Sequence, residues 1–401
     1  MTYLKAKKKF KWETRFMSPF VLMGRIAGSF WRLDRQYDFF FFFPSGDIGG
    51  APCVNVDILN SIRDQDKLVI FSKRPRNNQF LDRFKNVPNT RIVDLSKWID
   101  HKIIHFVNFF FRGVIASWVG QSTNPLIFGG ECLFFYKMLP HVPTRTRKVE
   151  LSHLATWLPY DIGWVDLIDV RIVSTLQLKK DIQQQYKYNN LSSSYAEKII
   201  FWDNAIDIPD YKEIDNPRLE VVFIGRGAPQ KRVYLIAAIA REMHVANDNI
   251  HFSFVGDVEK VFDITDYPYC TFYGNVSDDK VMQSIYEKSD VLILTSAYEG
   301  LPLVVMTMMA HNKVVVATAV NGIPDYIHHN ENGLLLYAQN EDEIINEAVT
   351  NLRRLINEDG LKKQLGKRNR EIAVGKFERE HFYQRYRNTI FLSENTTSRQ
   401  I

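Results

Sequence analysis

Three side chains in the second half of the chain are of the types that hold a diphosphate and a sugar. In LEVVFIGRGAPQKRVYLIAAIA an apolar run ends at Gly225, Arg226 and Gly227, and Lys231 follows at the opening of a helical pattern. A diphosphate asks for positive charge and for backbone N–H donors, and a helix N-terminus supplies the donors along with a favourable dipole. Arg226 can take phosphate oxygens two at a time, and Lys231 adds a compact charge. Taken alone, both could equally be surface cations. Farther on, in DVLILTSAYEGLPLVVMTMMAHNKVVVATAVNGIPDYI, Glu299 and Gly300 follow another apolar run. Leu301 then leads to Pro302, which opens the next helix where its missing N–H costs nothing. A carboxylate in such a loop can accept hydrogen bonds from sugar hydroxyls. A single loop glutamate is usually just solvated, so the order of the parts carries the weight.

The first half holds weaker signals. FFFFFPSGDIGGAPCVNVDIL reads as strand, glycine loop and helix. Gly49 and Gly50 are expected to permit close backbone approach and positive φ. Asp47 is either a hydrogen-bonding group on the acceptor side or an ordinary capping aspartate. KVELSHLATWLPYD sets His153 just past a strand, whereas His328 and His329 stand in polar loop sequence and read as solvated.

The elements that must position these residues are legible as alternation. DFFFFF, LVIF, TRIVDL, PLIFGG, KVELSH and VRIVST are strand candidates in the first half; LEVVFIG, IHFSFVG, CTFYG, DVLILTS and KVVVATA are their counterparts in the second. Several are apolar at consecutive positions, as parallel strands covered on both faces require. Helical patterns lie between them, among them EDEIINEAVTNLRRLINED, where Ile344, Ile345, Ala348, Leu352, Leu355 and Ile356 form one stripe. Such alternation implies doubly wound parallel sheets with right-handed crossovers. Two sets are separated near IDIPDYKEIDNPR, a polar stretch with Pro209 and Pro217. The expected architecture is therefore α/β, with two Rossmann-like domains facing across a cleft beyond the carboxyl ends of their strands.

Together these residues resemble family 4 of the glycosyltransferases, retaining enzymes of the GT-B architecture. The resemblance is strongest from Leu219 to Leu336 and continues upstream more weakly. Family members show a Gly-Arg loop with a lysine a few residues on, here Arg226 and Lys231, and a glycine-ended strand like FSFVGD. A pair of glutamates separated by seven residues follows. Glu299 matches the first, which in the family contacts donor-sugar hydroxyls; Thr307 replaces the second, which usually holds the ribose hydroxyls. Thr307 is shorter and uncharged, which fits a deoxyribose donor such as a dTDP-sugar or else a degenerate site. The resemblance further implies that the Gly49–Gly50 loop reaches the donor phosphates and the acceptor, and that His153 touches the donor sugar. Asn204 matches the family's turn ahead of the second domain, with Ala205 where glycine is usual, and that segment reads as a hinge. The implied layout is an acceptor-side domain over 1–205, with a basic, amphipathic lead over 1–35. A nucleotide-sugar domain covers 206–374, and a helix over 375–401 crosses back to the first domain.

The implied activity is that of a hexosyltransferase-type enzyme. It would move a sugar from a UDP-, GDP- or dTDP-linked donor to a saccharide or lipid-linked saccharide, in cell-surface polysaccharide synthesis. The resemblance implies protein cations rather than a bound divalent ion, and no cofactor. The alternatives are a nucleotide-sugar epimerase of the same fold and a non-catalytic sugar-nucleotide-binding module. A nicotinamide oxidoreductase is disfavoured, since neither strand–loop–helix carries G-x-G-x-x-G with a following acid.

Composition agrees with a globular protein: 45% of the 401 residues are apolar and 24% charged. Cys53, Cys132 and Cys270 are far apart, without metal-ligand spacing, and read as reduced thiols of a cytoplasmic protein. The net charge of +5 is concentrated at the start, in KAKKKFKWETR, followed by FMSPFVLMGRIAGSFW. That pair is too broken for a signal peptide or a spanning helix. It reads either as a tail with a helix packed on the domain or as a peripheral contact with an anionic membrane. No nucleic-acid-binding motif is present.

Overall fold

The structure, a computed structural model, describes residues 2–100, 105–130, 132–154, 161–211, 213–300 and 302–391. Two compact units emerge: Met1–Trp202 with Glu380–Ile401, and Asp203–Arg379.

The first unit is built on a seven-stranded sheet, every pairing parallel, in the order β3-β2-β1-β4-β5-β6-β7. Its strands are β1 Phe39–Phe43, β2 Lys67–Phe71, β3 Thr90–Asp94, β4 Leu126–Gly129, β5 Arg147–Ser152, β6 Val170–Val173 and β7 Ile199–Phe201. β1 is five consecutive phenylalanines, all buried. Side chains alternate between the faces of a strand. Phe42 accordingly meets Phe134 and Phe135 on one side, while Phe41 meets Phe128 and Phe391 on the other. A one-face sheet would leave alternate rings in water, so this strand requires cover on both faces. Burial of each ring is worth about 1.5–3 kcal/mol.

The segment 380–391 supplies part of that cover. Phe391 packs edge-on against Phe39, and Arg147 donates to the carbonyls of Thr389 and Ile390. Arg387 pairs with Asp64. Between β5 and β6, Glu150 and Arg171 stand directly in register. Arg171 Nε lies 2.5 Å from Glu150 Oε2, and Nη2 lies 3.3 Å from Asp161 Oδ2. All three side chains are buried, and Tyr136 donates to Glu150 at 2.6 Å.

Asp203–Arg379 holds a six-stranded parallel sheet in the order β10-β9-β8-β11-β12-β13. Its strands are β8 Leu219–Ile224, β9 Ile250–Val255, β10 Thr271–Gly274, β11 Val291–Leu294, β12 Val314–Thr318 and β13 Leu334–Leu336. In both sheets the order reverses at the first strand, the place where doubly wound folds open toward ligands. Helix Val233–Val245 follows β8 and buries Val233, Leu235, Ile236, Ile239 and Met243. Helix Glu341–Asn357 buries the expected stripe at Ile344, Ala348, Leu352 and Leu355, leaving Ile345 and Ile356 half-buried. Its first turn is capped by Asn340, which accepts from the Glu343 amide at 2.8 Å.

Candidate active-site residues

At the switch point of the second sheet, between β8 and β11, two loops meet. The first leaves β8 through Gly225, Arg226 and Gly227. Gly225 is still tied to β9 by its amide, which donates to the Val255 carbonyl at 3.0 Å. Gly227 donates to Asp257 at 2.8 Å, and a Cβ there would stand 2.1 Å from the Asp257 carbonyl oxygen. Gly256, with φ +122°, likewise leaves no room for a side chain beside the Gly225 carbonyl. These glycines let the β8 and β9 loops lie against each other. Arg226, between them, is exposed, and its guanidinium has no partner among the described residues.

Lys231 does not open the long helix, as its spacing predicts. It closes a single 3-10 turn over Pro229–Lys231, and the helix begins at Val233. The step between them is Arg232 in the left-handed region, at φ 43° and ψ 41°. That conformation is unfavourable for a residue with a Cβ. Two bonds hold it, from Arg232 Nε to the Thr295 carbonyl at 2.7 Å and from Nη2 to the Ser296 carbonyl at 3.1 Å. Arg232 thus fastens the β8 loop to the end of β11 and turns Lys231 toward the β11 loop.

There Lys231 Nζ pairs with Glu299 Oε1, both side chains largely buried. Ser296 Oγ donates to the same oxygen at 2.6 Å, and Asn321 accepts from the Glu299 amide at 3.2 Å. Asn321 is itself left-handed, at φ 44°, in the tight turn expected of Asn-Gly-Ile-Pro. Glu299 Oε2 accepts no hydrogen bond from the described residues. An ammonium has three donors and a carboxylate two oxygens, so the pair keeps capacity for a ligand on both members.

After Gly300, Pro302 caps helix Leu303–Ala310 instead of standing inside it. Leu301 lies outside the described residues. Thr307, one turn into that helix, is half-buried and donates back to the Leu303 carbonyl at 2.9 Å. Its proton is therefore used within the helix, while its oxygen can still accept.

In the first unit, Phe43, Ser45, Ala51, Asn55, Gly129 and His153 help to line a small cavity at the ends of β1, β4 and β5. His153 follows β5 at this cavity, where its spacing predicts it. Gly50 starts helix Gly50–Asn60. Neither Gly49 nor Gly50 takes a left-handed φ: Gly49 is extended, at φ 160°, and leads straight into the helix. The expectation of positive φ is corrected here, because a strand-to-helix turn of this length closes without it.

Asp47 makes the contacts of the capping aspartate, the second of its two expected readings. Its carboxylate accepts from the amides of Arg76, Asn77 and Asn78 at 2.9, 3.0 and 2.9 Å and from Ser45 Oγ at 3.0 Å. Partial burial acts to raise its pKa, but those four donors outweigh it and hold the carboxyl below its ordinary value. The group is engaged by the loop after β2, as a capping aspartate would be.

Sequence reasoning missed Arg232 and Ser296. A non-glycine left-handed residue leaves no mark in composition, and a serine beside a strand end is common. Asp257, by contrast, stood in the quoted FSFVGD stretch.

The two sheets define a fold class: two Rossmann-like α/β units, matching structures of the GT-B fold. Residues 218–354 match the family of glycosyl transferases group 1, a segment that contains Arg226, Lys231, Arg232, Ser296, Glu299, Thr307 and Asn321. An uncharacterized glycosyltransferase of Methanocaldococcus jannaschii is 26% identical over 39% of this chain and 42% of its own length. The poly(ribitol-phosphate) alpha-N-acetylglucosaminyltransferase of Staphylococcus aureus is 27% identical over 57% of this chain and 45% of its own. The chain thus spans less than half the length of these curated relatives. Among solved structures, HepE of Anabaena in complex with UDP-glucose superposes with a TM-score of 0.66 and 17% identity, over 88% of this chain and 98% of that one. That likeness is one of fold.

Proposed function

We propose that this protein is a glycosyltransferase. In this reading it moves a hexosyl group, with retention of anomeric configuration, from a nucleoside diphosphate sugar to a saccharide or lipid-linked saccharide in cell-surface polysaccharide synthesis. The observation that carries the reading is the Lys231–Glu299 pair at the switch point of the second sheet, inside the segment that matches a glycosyltransferase family.

The diphosphate is held by Arg226 and by the two ammonium protons that Lys231 does not give to Glu299. As the glycosidic bond breaks, negative charge grows on the leaving diphosphate, and these cations lower the energy of that state. Glu299 Oε2 accepts from a donor-sugar hydroxyl. Ser296 and Lys231 hold the other oxygen, so the carboxylate is oriented before the sugar arrives. His153, at the cavity of the first unit, touches the donor sugar, and the acceptor hydroxyl enters beside the Gly49–Gly50 loop. Protein cations take the part of a divalent ion, and turnover is expected to survive chelation. The Staphylococcus aureus relative is a poly(ribitol-phosphate) alpha-N-acetylglucosaminyltransferase, which supports a sugar-transferring role on a cell-surface polymer.

The test is a panel of UDP-, GDP- and dTDP-sugars with and without saccharide acceptors, in the presence of chelator, read by nucleoside diphosphate release and by the anomeric proton of the product. One donor should be consumed with its configuration kept, and Lys231→Ala should slow that consumption by roughly two orders of magnitude. Failure of every nucleotide and nucleotide sugar to bind the folded chain would remove the proposal.

A further inference from the structure

The strongest unexplained surface lies at the N-terminal end of the first unit. Helix Ser18–Phe30 turns Val21, Gly24 and Gly28 inward onto helix His105–Gln121. The contact is backbone to backbone: a Cβ on Gly24 would stand 1.9 Å from the Phe110 carbonyl oxygen, and one on Gly113 would stand 2.0 Å from that of Val21. Small residues four apart allow such an approach. The inward face of the helix is thereby satisfied, yet the opposite face is apolar too. Pro19, Leu22, Met23, Ile26 and Phe30 recur at helical spacing on the outside and are all exposed, with Leu22 at 59%, Ile26 at 55% and Phe30 at 83%. The helix carries a single charge, Arg25, and its guanidinium is turned to the His141 carbonyl at 2.7 Å. Trp31, Phe106 and Trp98 extend the exposed apolar surface beyond it.

The preceding helix, Tyr3–Phe16, supplies the second half of the pattern. It docks through Ala6 and Phe10, with Phe10 stacked on Trp164 at 3.9 Å. Its one acid, Glu13, faces Arg112 at 3.3 Å and Lys137 at 3.6 Å. Lys5, Lys8, Lys9, Lys11 and Arg15 are exposed and form no ion pair among the described residues. Interleaved with them are Trp12, exposed at 66%, and Phe16.

An uncharged apolar stripe beside a cationic, tryptophan-bearing helix fits one kind of partner. We infer that these two helices dock the protein flat onto an anionic lipid bilayer, with Leu22, Met23, Ile26 and Phe30 in the acyl boundary and the lysines of the first helix over the headgroups. The orientation in the plane follows from length. Thirteen residues rise about 20 Å, short of the roughly 30 Å of hydrocarbon that crossing needs, and no helix of the described residues is long and apolar enough to cross a membrane. A second copy of the chain would set like charges against each other along this edge, whereas acidic headgroups complement them. The inference does not depend on the donor site, since bilayer binding needs no turnover. If the acceptor is lipid-linked, docking would present the enzyme to it.

Co-sedimentation of the full chain with phosphatidylcholine vesicles, and with the same vesicles containing phosphatidylglycerol, tests this. Binding is expected only with the anionic lipid, weakening as salt rises, with a blue shift of tryptophan emission from Trp12 and Trp31. The triple variant Leu22→Ser, Ile26→Ser, Phe30→Ser should lose at least about tenfold in partition. Lys5→Gln with Lys8→Gln and Lys9→Gln should lose a similar factor along with most of the salt dependence. Circular dichroism and thermal melting check that the variants fold, since all these side chains point away from the core. Equal partition of wild type and the triple variant, or no binding to anionic vesicles, overturns the inference. So does a dimer in sedimentation that the serine variant converts to monomer.

Discussion

Lys231 and Glu299 hold each other where neither is well solvated, which decides how their substitutions should behave. Lys231→Ala removes a cation from the proposed leaving group and also strands Glu299 in a poorly hydrated place. Loss of about 2–4 kcal/mol of transition-state stabilisation is expected, a fall of roughly two to three orders of magnitude in kcat/KM. Glu299→Gln keeps the shape and the Ser296 contact, and should raise KM for the sugar nucleotide more than it disturbs binding of the free nucleoside diphosphate. Calorimetry with the diphosphate alone separates the two; equal losses from both variants would argue against the division of labour. At Thr307 the chain carries a short hydroxyl where the resembling family carries a second glutamate. Thr307→Glu should shift the ratio of UDP to dTDP affinity toward UDP by about tenfold, the worth of one hydrogen bond to a charged group. Titration of both nucleotides measures that ratio, and an unchanged ratio would mean that the ribose lies elsewhere.

Within the elements, the register of β5 against β6 produces the other energetic feature. Glu150 and Arg171 are paired by the sheet itself, and Asp161 adds a second carboxyl to the same buried place. Burial pushes the Asp161 carboxyl well above its ordinary value, and Glu150 adds to that rise against the pull of Arg171. A carboxyl whose folded pKa is raised binds its proton more tightly in the folded state. Its stabilising contribution is complete below the ordinary value of 3.8 and is lost as pH rises toward the raised one. Asp161→Asn, neutral at every pH, should therefore melt at or above the wild-type temperature near neutrality, with the difference closing in acid. Melting curves across that range check the sign. Arg171→Met, which leaves Glu150 uncompensated, should instead cost about 3–5 kcal/mol.

On the scale of the whole molecule, the first unit is discontinuous in sequence. Phe382, Tyr386, Ile390 and Phe391 are buried with Met1–Trp202 although nearly 180 residues of the second unit intervene. Truncation after Arg379 should remove on the order of 5–10 kcal/mol from the first unit, comparable to the whole stability of a domain. It should leave the second unit folded and still able to raise its melting point with a nucleoside diphosphate, as linkage requires. Calorimetry with and without nucleotide resolves the two transitions. Survival of both transitions in the truncated chain would show that β1 is covered by something other than Phe391.

The strands of this protein were readable from the chain because parallel strands buried on both faces must be continuously apolar, as DFFFFF, LVIF, DVLILTS and KVVVATA are. The two shortest, β7 and the three leucines of β13, were not among these runs, since three residues carry no period. Arg226, Lys231 and Glu299 were legible for a related reason: cations and carboxylates placed just past strand ends fall at the mouth of a doubly wound sheet. Contacts were not legible. That Lys231 spends a proton on Glu299, that Arg232 bends backward to bring it there, and that Asp47 binds three loop amides depend on loops distant in sequence. The same holds for Arg171, the single charge of β6, and Glu150, one of three charges in β5, until sheet register sets them side by side. Local pattern determines which elements form, because periodicity acts within one segment. Tertiary structure decides which polar atoms are satisfied, because their partners come from other segments.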